Sequence, residues 1–117
     1  MAVDLTPLTE IVGFIGACVV DSDTGMVMAI ESRGSLDLEL AAAGNTEVVR
    51  SKRRTIAALK LKDEIEDILI SLRNQYHLIR LLGSNDRVFI YLALDRRVAN
   101  LALARITMQR VEETLRL

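Results

Sequence analysis

The stretch Phe14-Ile-Gly-Ala-Cys-Val-Val-Asp-Ser-Asp-Thr-Gly-Met-Val-Met-Ala-Ile30 decides how the rest of the chain is read. Residues 14–20 are apolar and partly β-branched, which suits a buried strand. Asp21-Ser22-Asp23-Thr24-Gly25 supplies turn chemistry, with Gly25 free to take a positive φ, and residues 26–30 return as the second strand of a hairpin. A counterpart lies near the other end. Residues 87–94 form an apolar run without polar alternation, as in a central strand, and lead into the amphipathic segment Val-Ala-Asn-Leu-Ala-Leu-Ala-Arg at 98–105. Asp95 is placed to cap this last helix. Leu101, Ala104, Met108, Val111 and Leu115 share one stripe of it, and Glu112 stands four residues before Arg116, a pairing distance.

Working inward, Thr6 before Pro7 signals a short first helix, with a hydroxyl cap and a proline where no amide is needed, and Gly13 offers its stop. Gly34-Ser35 opens a long helix with Ser35 as cap and Asp37 and Glu39 near its positive end. Leu38, Ala42, Asn45, Val49, Lys52, Ile56 and Leu59 follow a three-four spacing along one stripe. Leu40, Gly44, Ser51 and Ala58 adjoin it, and Thr46, Glu47, Arg50, Arg53 and Arg54 occupy the opposite face. An apolar-plus-small arc this wide suits a helix that meets its own sheet on one side and a second helix on the other. Residues 66–73 and 76–82 read as two more strands around an Asn74-Gln75 turn, and Gly83-Ser84-Asn85-Asp86 is a loop. The order is helix, two strands, helix, three strands, helix. It describes one α/β domain over residues 1–117, an α+β sandwich with a five-stranded antiparallel-type sheet.

Composition narrows the function. Half of the 117 residues are apolar, enough for one core without disulfides. With 15 basic and 16 acidic side chains there is no whole-chain field to attract nucleic acid. The aromatic content of 3% offers few stacking platforms for bases. The single cysteine, Cys18, sits among apolar neighbours and reads as a buried, reduced thiol in a cytosolic protein. The apolar run at 11–20 holds two glycines and is about half the length of a membrane span, so a soluble, cytoplasmic domain is expected. Charge is uneven along the chain: residues 50–62 carry Arg50, Lys52, Arg53, Arg54, Lys60 and Lys62 with no acid. Such a cluster is either a solvated helix face, with Glu47 beside Arg50, or a docking patch for an acidic protein partner.

Catalytic machinery is not legible. One cysteine and one histidine make no zinc-type ligand spacing, and no Gly-Lys-Ser/Thr loop or G-x-G-x-x-G is present, so neither metal nor cofactor is expected. Asp23-Thr24-Gly25 matches the triplet of aspartic proteases, and Leu81-Leu82-Gly83 echoes their second signature. Those enzymes are almost wholly β, whereas about half of this chain reads as helix, and a hairpin turn accounts for the triplet. His77 alternates with Tyr76 and Leu78 in a strand and reads as a surface or interface residue.

The element order resembles the roadblock family of dynein light chains and bacterial GTPase regulators over nearly the whole chain. The resemblance is carried by Val19-Val20-Asp21-Ser22-Asp23-Thr24-Gly25-Met26-Val27-Met28-Ala29 and by Asn100-Leu101-Ala102-Leu103-Ala104-Arg105. It implies a roadblock/profilin-like fold and a homodimer in which third strands pair and the two long helices lie side by side. The interface would then include Leu38, Ala42, Asn45, Val49, Lys52 and Ile56 on the helix and Ile68, Ile70 and Leu72 on the strand. It further implies a small Ras-like GTPase as partner, docked on Glu47, Arg50, Arg53 and Arg54, and a regulator without an active site of its own. A small-ligand sensory module of profilin or PAS type, or a structural subunit of a larger complex, are the alternatives. A second contact through Leu103 and Ile106 is left open by the last helix.

Overall fold

The computed structural model describes residues 3–115. Its elements are α1 (Thr6–Thr9), β1 (Phe14–Asp21), β2 (Met26–Ser32), α2 (Leu38–Ala58), β3 (Asp67–Ser71), β4 (Gln75–Leu81), β5 (Val88–Asp95) and α3 (Leu101–Thr114), in the expected sequence. The strands form one antiparallel sheet in the order β2-β1-β5-β4-β3. The unbroken apolar run of β5 is explained by its place: it is the middle strand, and every residue but Asp95 is buried.

Side-chain alternation divides the core between the two faces of the sheet. Ala17, Val19, Leu78, Ile90, Leu92 and Leu94 point to one face, closed by Leu8 of α1 and by Ala104, Met108 and Val111 of α3. Cys18, Val20, Ile79, Phe89 and Tyr91 point to the other, beneath Leu38, Ala42 and Val49 of α2. Burying one such aliphatic or aromatic side chain contributes about 1.5–3 kcal/mol, so two filled faces hold the domain without covalent staples. Cys18 is fully buried, and that burial pushes its thiol up to about 12, which leaves it unreactive.

Local chemistry moves several element ends. α2 begins at Leu38 instead of at Gly34-Ser35, because the Asp37 carboxylate accepts the Leu40 amide at 3.0 Å and Leu36 still packs on the core in an extended segment. α3 is capped by Asn100, which accepts from the Leu103 amide at 3.1 Å, and not by Asp95, which ends β5 and bonds Arg97. Thr6 lies inside α1, and Asp4 accepts its amide at 2.9 Å. α1 ends at Thr9 with Glu10 as its C-cap, so Gly13 is not its stop but the last turn residue before β1; at φ +89 a Cβ there would meet the Asp95 carbonyl at 3.0 Å. β3 ends at Ser71, so Leu72 falls in the turn that leads to β4. Arg116 lies outside the described residues, and Glu112 turns inward, accepting from Arg80 Nε at 2.5 Å and from the Gly83 amide at 2.7 Å. Among the described residues no helix is long and apolar enough to cross a membrane.

Candidate interaction surface

β3 is the last strand of the sheet, so one of its edges has no neighbour in the chain. Such an edge presents a row of unpaired amides and carbonyls. Its apolar side chains split by alternation: Leu69 packs towards α1 and α3, whereas Ile68 packs on the α2 side of the core. Ile70 shares the face of Ile68, and its cross-strand partner is His77. Asp67 is tied to α3 by Arg105, with Nε 3.1 Å from Oδ2, which fixes the start of the strand.

α2 packs mainly over β1 and β2, at the opposite end of the sheet from β3. The sheet face beside it is therefore only half covered: Ile68, Ile70 and His77 are all of intermediate exposure. His77 is held by Gln75 Oε1 at 2.7 Å and by the Tyr91 hydroxyl at 3.2 Å, and partial burial lowers its pKa below 6.5. Its ring stands edge-on to Tyr91 with centroids 5.4 Å apart. A groove of about 390 Å³ runs between α2 and the start of β3, lined by Val48, Lys52, Ile65 and Ile68 among others.

The residues expected on the dimer interface separate into two groups. Leu38, Ala42 and Val49 are buried against the chain's own sheet and so cannot face a second helix. The stripe expected to look outward is the stripe that looks inward, because the core claims the best apolar positions first. Asn45 is half-buried and donates its amide back to the Ala41 carbonyl at 2.8 Å. Ile56 is half-buried and Lys52 exposed. The outward ridge carries Leu40 and Val48, both exposed, with Gly44, Ser51 and Thr55 beside them. Leu72, 41% exposed, sits at the tip of the β3–β4 turn.

The basic cluster divides in the same way. Arg50 reaches across to the β1–β2 turn, donating Nε to the Ser22 carbonyl at 2.8 Å and Nη2 to the Asp23 carbonyl. Arg53 donates Nη1 to the buried Ser22 hydroxyl at 3.4 Å, and its Nη2 is buried with no partner. Both arginines thus fasten the turn to α2. Glu47 and Arg54 remain exposed. The signal for the tether is the polar, turn-forming Ser22, which the structure buries to 1%. In sequence it shows only as a hydroxyl next to a buried strand. Asp23-Thr24-Gly25 is the hairpin turn itself, with Gly25 at φ +76 and Asp23 Oδ2 3.7 Å from Arg87. Among the described residues no group of three or more histidine, cysteine or acidic side chains could hold a metal.

No protein-family model matches the sequence, and no curated protein matches it. Solved structures do. A Roadblock/LC7 domain from Streptomyces avermitilis superposes with a TM-score of 0.79 at 12% identity, over 92% of this chain and 87% of that one. MglB of Myxococcus xanthus gives 0.78 at 16% identity, over 91% of this chain and 83% of that one. The gliding protein MglB from Thermus thermophilus gives 0.75 at 16% identity, over 92% and 78% respectively. The chain has the roadblock fold. At these identities the likeness concerns architecture, and the chemistry of the surface has to be argued from this sequence.

Proposed function

We propose that the chain is a non-catalytic adaptor that works as a homodimer and docks a small Ras-like GTPase. The observation that carries this reading is the open edge of β3 beside a half-covered apolar sheet face. Two copies joined edge to edge along β3 satisfy those backbone groups and extend the sheet. Each α2 then approaches its twin across the groove formed by Val48, Lys52 and Ile68. The joined helices present Leu40, Glu47, Ser51 and Arg54 in two copies as the platform for the GTPase. The solved MglB structures are roadblock folds of similar size, which supports the fold-level part of this reading. A cytoplasmic location suits such a partner.

Between α2 and the middle of the sheet the space is filled by Cys18, Phe89, Tyr91 and Ala42, all fully buried. Solution mass by light scattering tests the dimer. The wild type is expected at about twice the 13.0 kDa chain mass, and Ile70→Lys is expected to halve it. A wild-type monomer defeats the reading. Titration of the dimer with Ras-like GTPases loaded with GDP or a GTP analogue tests the platform: Arg54→Glu should weaken binding without altering the dimer. A platform residue that supplied an arginine in trans would show as a rise of ~10³–10⁵ in hydrolysis rate, and one that only recruits the GTPase would leave the rate unchanged.

A further inference from the structure

The sheet has a second open end, at β2. β2 pairs only with β1, so its outer edge leaves backbone amides and carbonyls without a neighbouring strand. Open edges are commonly guarded by lysine or proline, or kept very short. β2 is seven residues long, Met-Val-Met-Ala-Ile-Glu-Ser, and has neither guard. Its large apolar side chains face water instead: Met26 is 67% exposed, Met28 43% and Ile30 44%. An edge that is long, apolar and unguarded is a template for another strand.

Two features say which strand. The first is a bulge. Val27 pairs with Val20 and Ala29 with Val19, so Met28 is an extra residue without a cross-strand partner. A bulge bends its strand and strengthens the local twist, which stops a rigid sheet from aligning along the whole edge. That counts against a second copy of the folded domain, whereas a flexible segment can follow the bend. The second feature is charge. Residues 21–49 hold six acids and one cation, Arg33, whose guanidinium is engaged over the Phe14 ring, 5.8 Å from its centroid. On the strand itself Glu31 is half-buried and, among the described residues, forms no ion pair. Ile30 and Glu31 are consecutive and so point to opposite faces of the sheet. A strand laid alongside meets an apolar side chain on one face and a carboxylate on the other, and alternating apolar and basic residues match both. The flexible thioethers of Met26 and Met28 adapt to apolar partners of different shape.

We infer that the β2 edge binds an extended basic segment of a partner protein, in which Lys or Arg alternates with apolar residues, by adding it to the sheet as a further strand. β2 lies at the opposite end of the sheet from β3, so the site is open whether or not two copies pair through β3. It stands independently of the GTPase reading.

Fluorescence anisotropy with a labelled Lys-Val-Lys-Val-Lys-Val-Lys peptide tests this. The wild type is expected to bind it, and to bind a Lys-Lys-Lys-Lys-Val-Val-Val peptide of equal composition far more weakly. Glu31→Lys turns attraction into repulsion and should weaken the alternating peptide about tenfold, while gaining affinity for Glu-Val-Glu-Val-Glu-Val-Glu. Met26→Ser, at a largely exposed position, should also weaken binding with circular dichroism and melting temperature unchanged. Ile70→Lys, on the other open edge, should leave binding unaltered. N-methylation of alternate peptide amides separates strand addition from plain charge attraction. One set of amides points at β2, and methylating it should abolish binding; the other set points to solvent, and methylating it should not. The inference is overturned by a wild type that binds no peptide, by equal binding of the block peptide, by equal effects of the two methylated sets, or by loss of binding in Ile70→Lys. A solution mass that changes in Glu31→Lys would show a second copy on the edge and would overturn it as well.

Discussion

Removing the Glu112 carboxylate probes how the loop after β4 is held. Glu112 Oε1 lies 2.5 Å from Arg80 Nε, and its other oxygen accepts the Gly83 amide at 2.7 Å. Their side chains are only 11% and 16% exposed for Arg80 and Glu112. In Glu112→Ala the guanidinium stays buried, and its remaining acid is the well-exposed Glu66 at 3.9 Å. Breaking a buried pair costs about 3–5 kcal/mol, because one charge is stranded in low dielectric. The site lies near the protein's surface, so the lower end, about 3 kcal/mol, is expected. At roughly 4 °C per kcal/mol for a domain of this size, that lowers the melting temperature by about 12 °C. Urea unfolding at one fixed protein concentration measures it, since the stability of any oligomer depends on concentration. The double variant Arg80→Met with Glu112→Leu removes both charges and should lie within about 1.5 kcal/mol of the wild type. Additive losses in the double variant would refute the reasoning, because they would mean that no charge is stranded in the single one.

Other perturbations read other parts of the structure. Arg50→Ala releases the β1–β2 turn from α2 and should cost about 1–2 kcal/mol in urea unfolding, a value at the low end for charged hydrogen bonds because the side chain is 39% exposed. Arg54→Ala, on the exposed side of the same helix, should stay within about 0.5 kcal/mol, and equal losses in the two would refute the assignment of Arg50 as a tether. His77 is kept more neutral in the folded state than in the unfolded one, so the unfolded chain takes up more protons as pH falls through 6.5. Stability should therefore decline from pH 7 towards pH 5, and the slope should flatten in His77→Gln. Asp4 and Asp95 have lowered pKa values and lose their contributions only below the carboxylate value of 3.8, outside that window.

The sequence makes the fold legible because periodicity and turn chemistry agree along the chain. The central position of β5 follows from its unbroken apolar run, and the hairpin from Asp-Thr-Gly. Helix starts are harder. Ser35, Asp37, Asp95 and Asn100 all have capping chemistry, and the choice among them depends on where the preceding strand or core contact releases the backbone. The face of α2 is ambiguous for a related reason. Leu38, Ala42 and Val49 form a stripe that equally fits a twin helix or the chain's own sheet, and periodicity alone does not say which neighbour is there. Arg50 and Arg53 look free in the sequence because their partners lie 27–31 residues away, in a turn whose carbonyls carry no signature there.

The place of β5 has a consequence for how the chain acquires its shape. β1 emerges early in synthesis, but its inner neighbour is β5, so Val19 waits for Ile90 and Cys18 for Tyr91. The hairpins β1–β2 and β3–β4 each close locally, and neither has a finished face until the central strand is inserted between them. Sheet completion is therefore a late event dominated by contacts distant in sequence, which slows the search compared with a helical bundle of equal length. During that interval the inner edges of β1 and β4, which β5 later covers, are open to unrelated chains. A nascent-chain experiment should find protease resistance appearing abruptly once β5 and then α3, which closes one face of the sheet and ends at Thr114, have cleared the ribosome, and not stepwise with each hairpin.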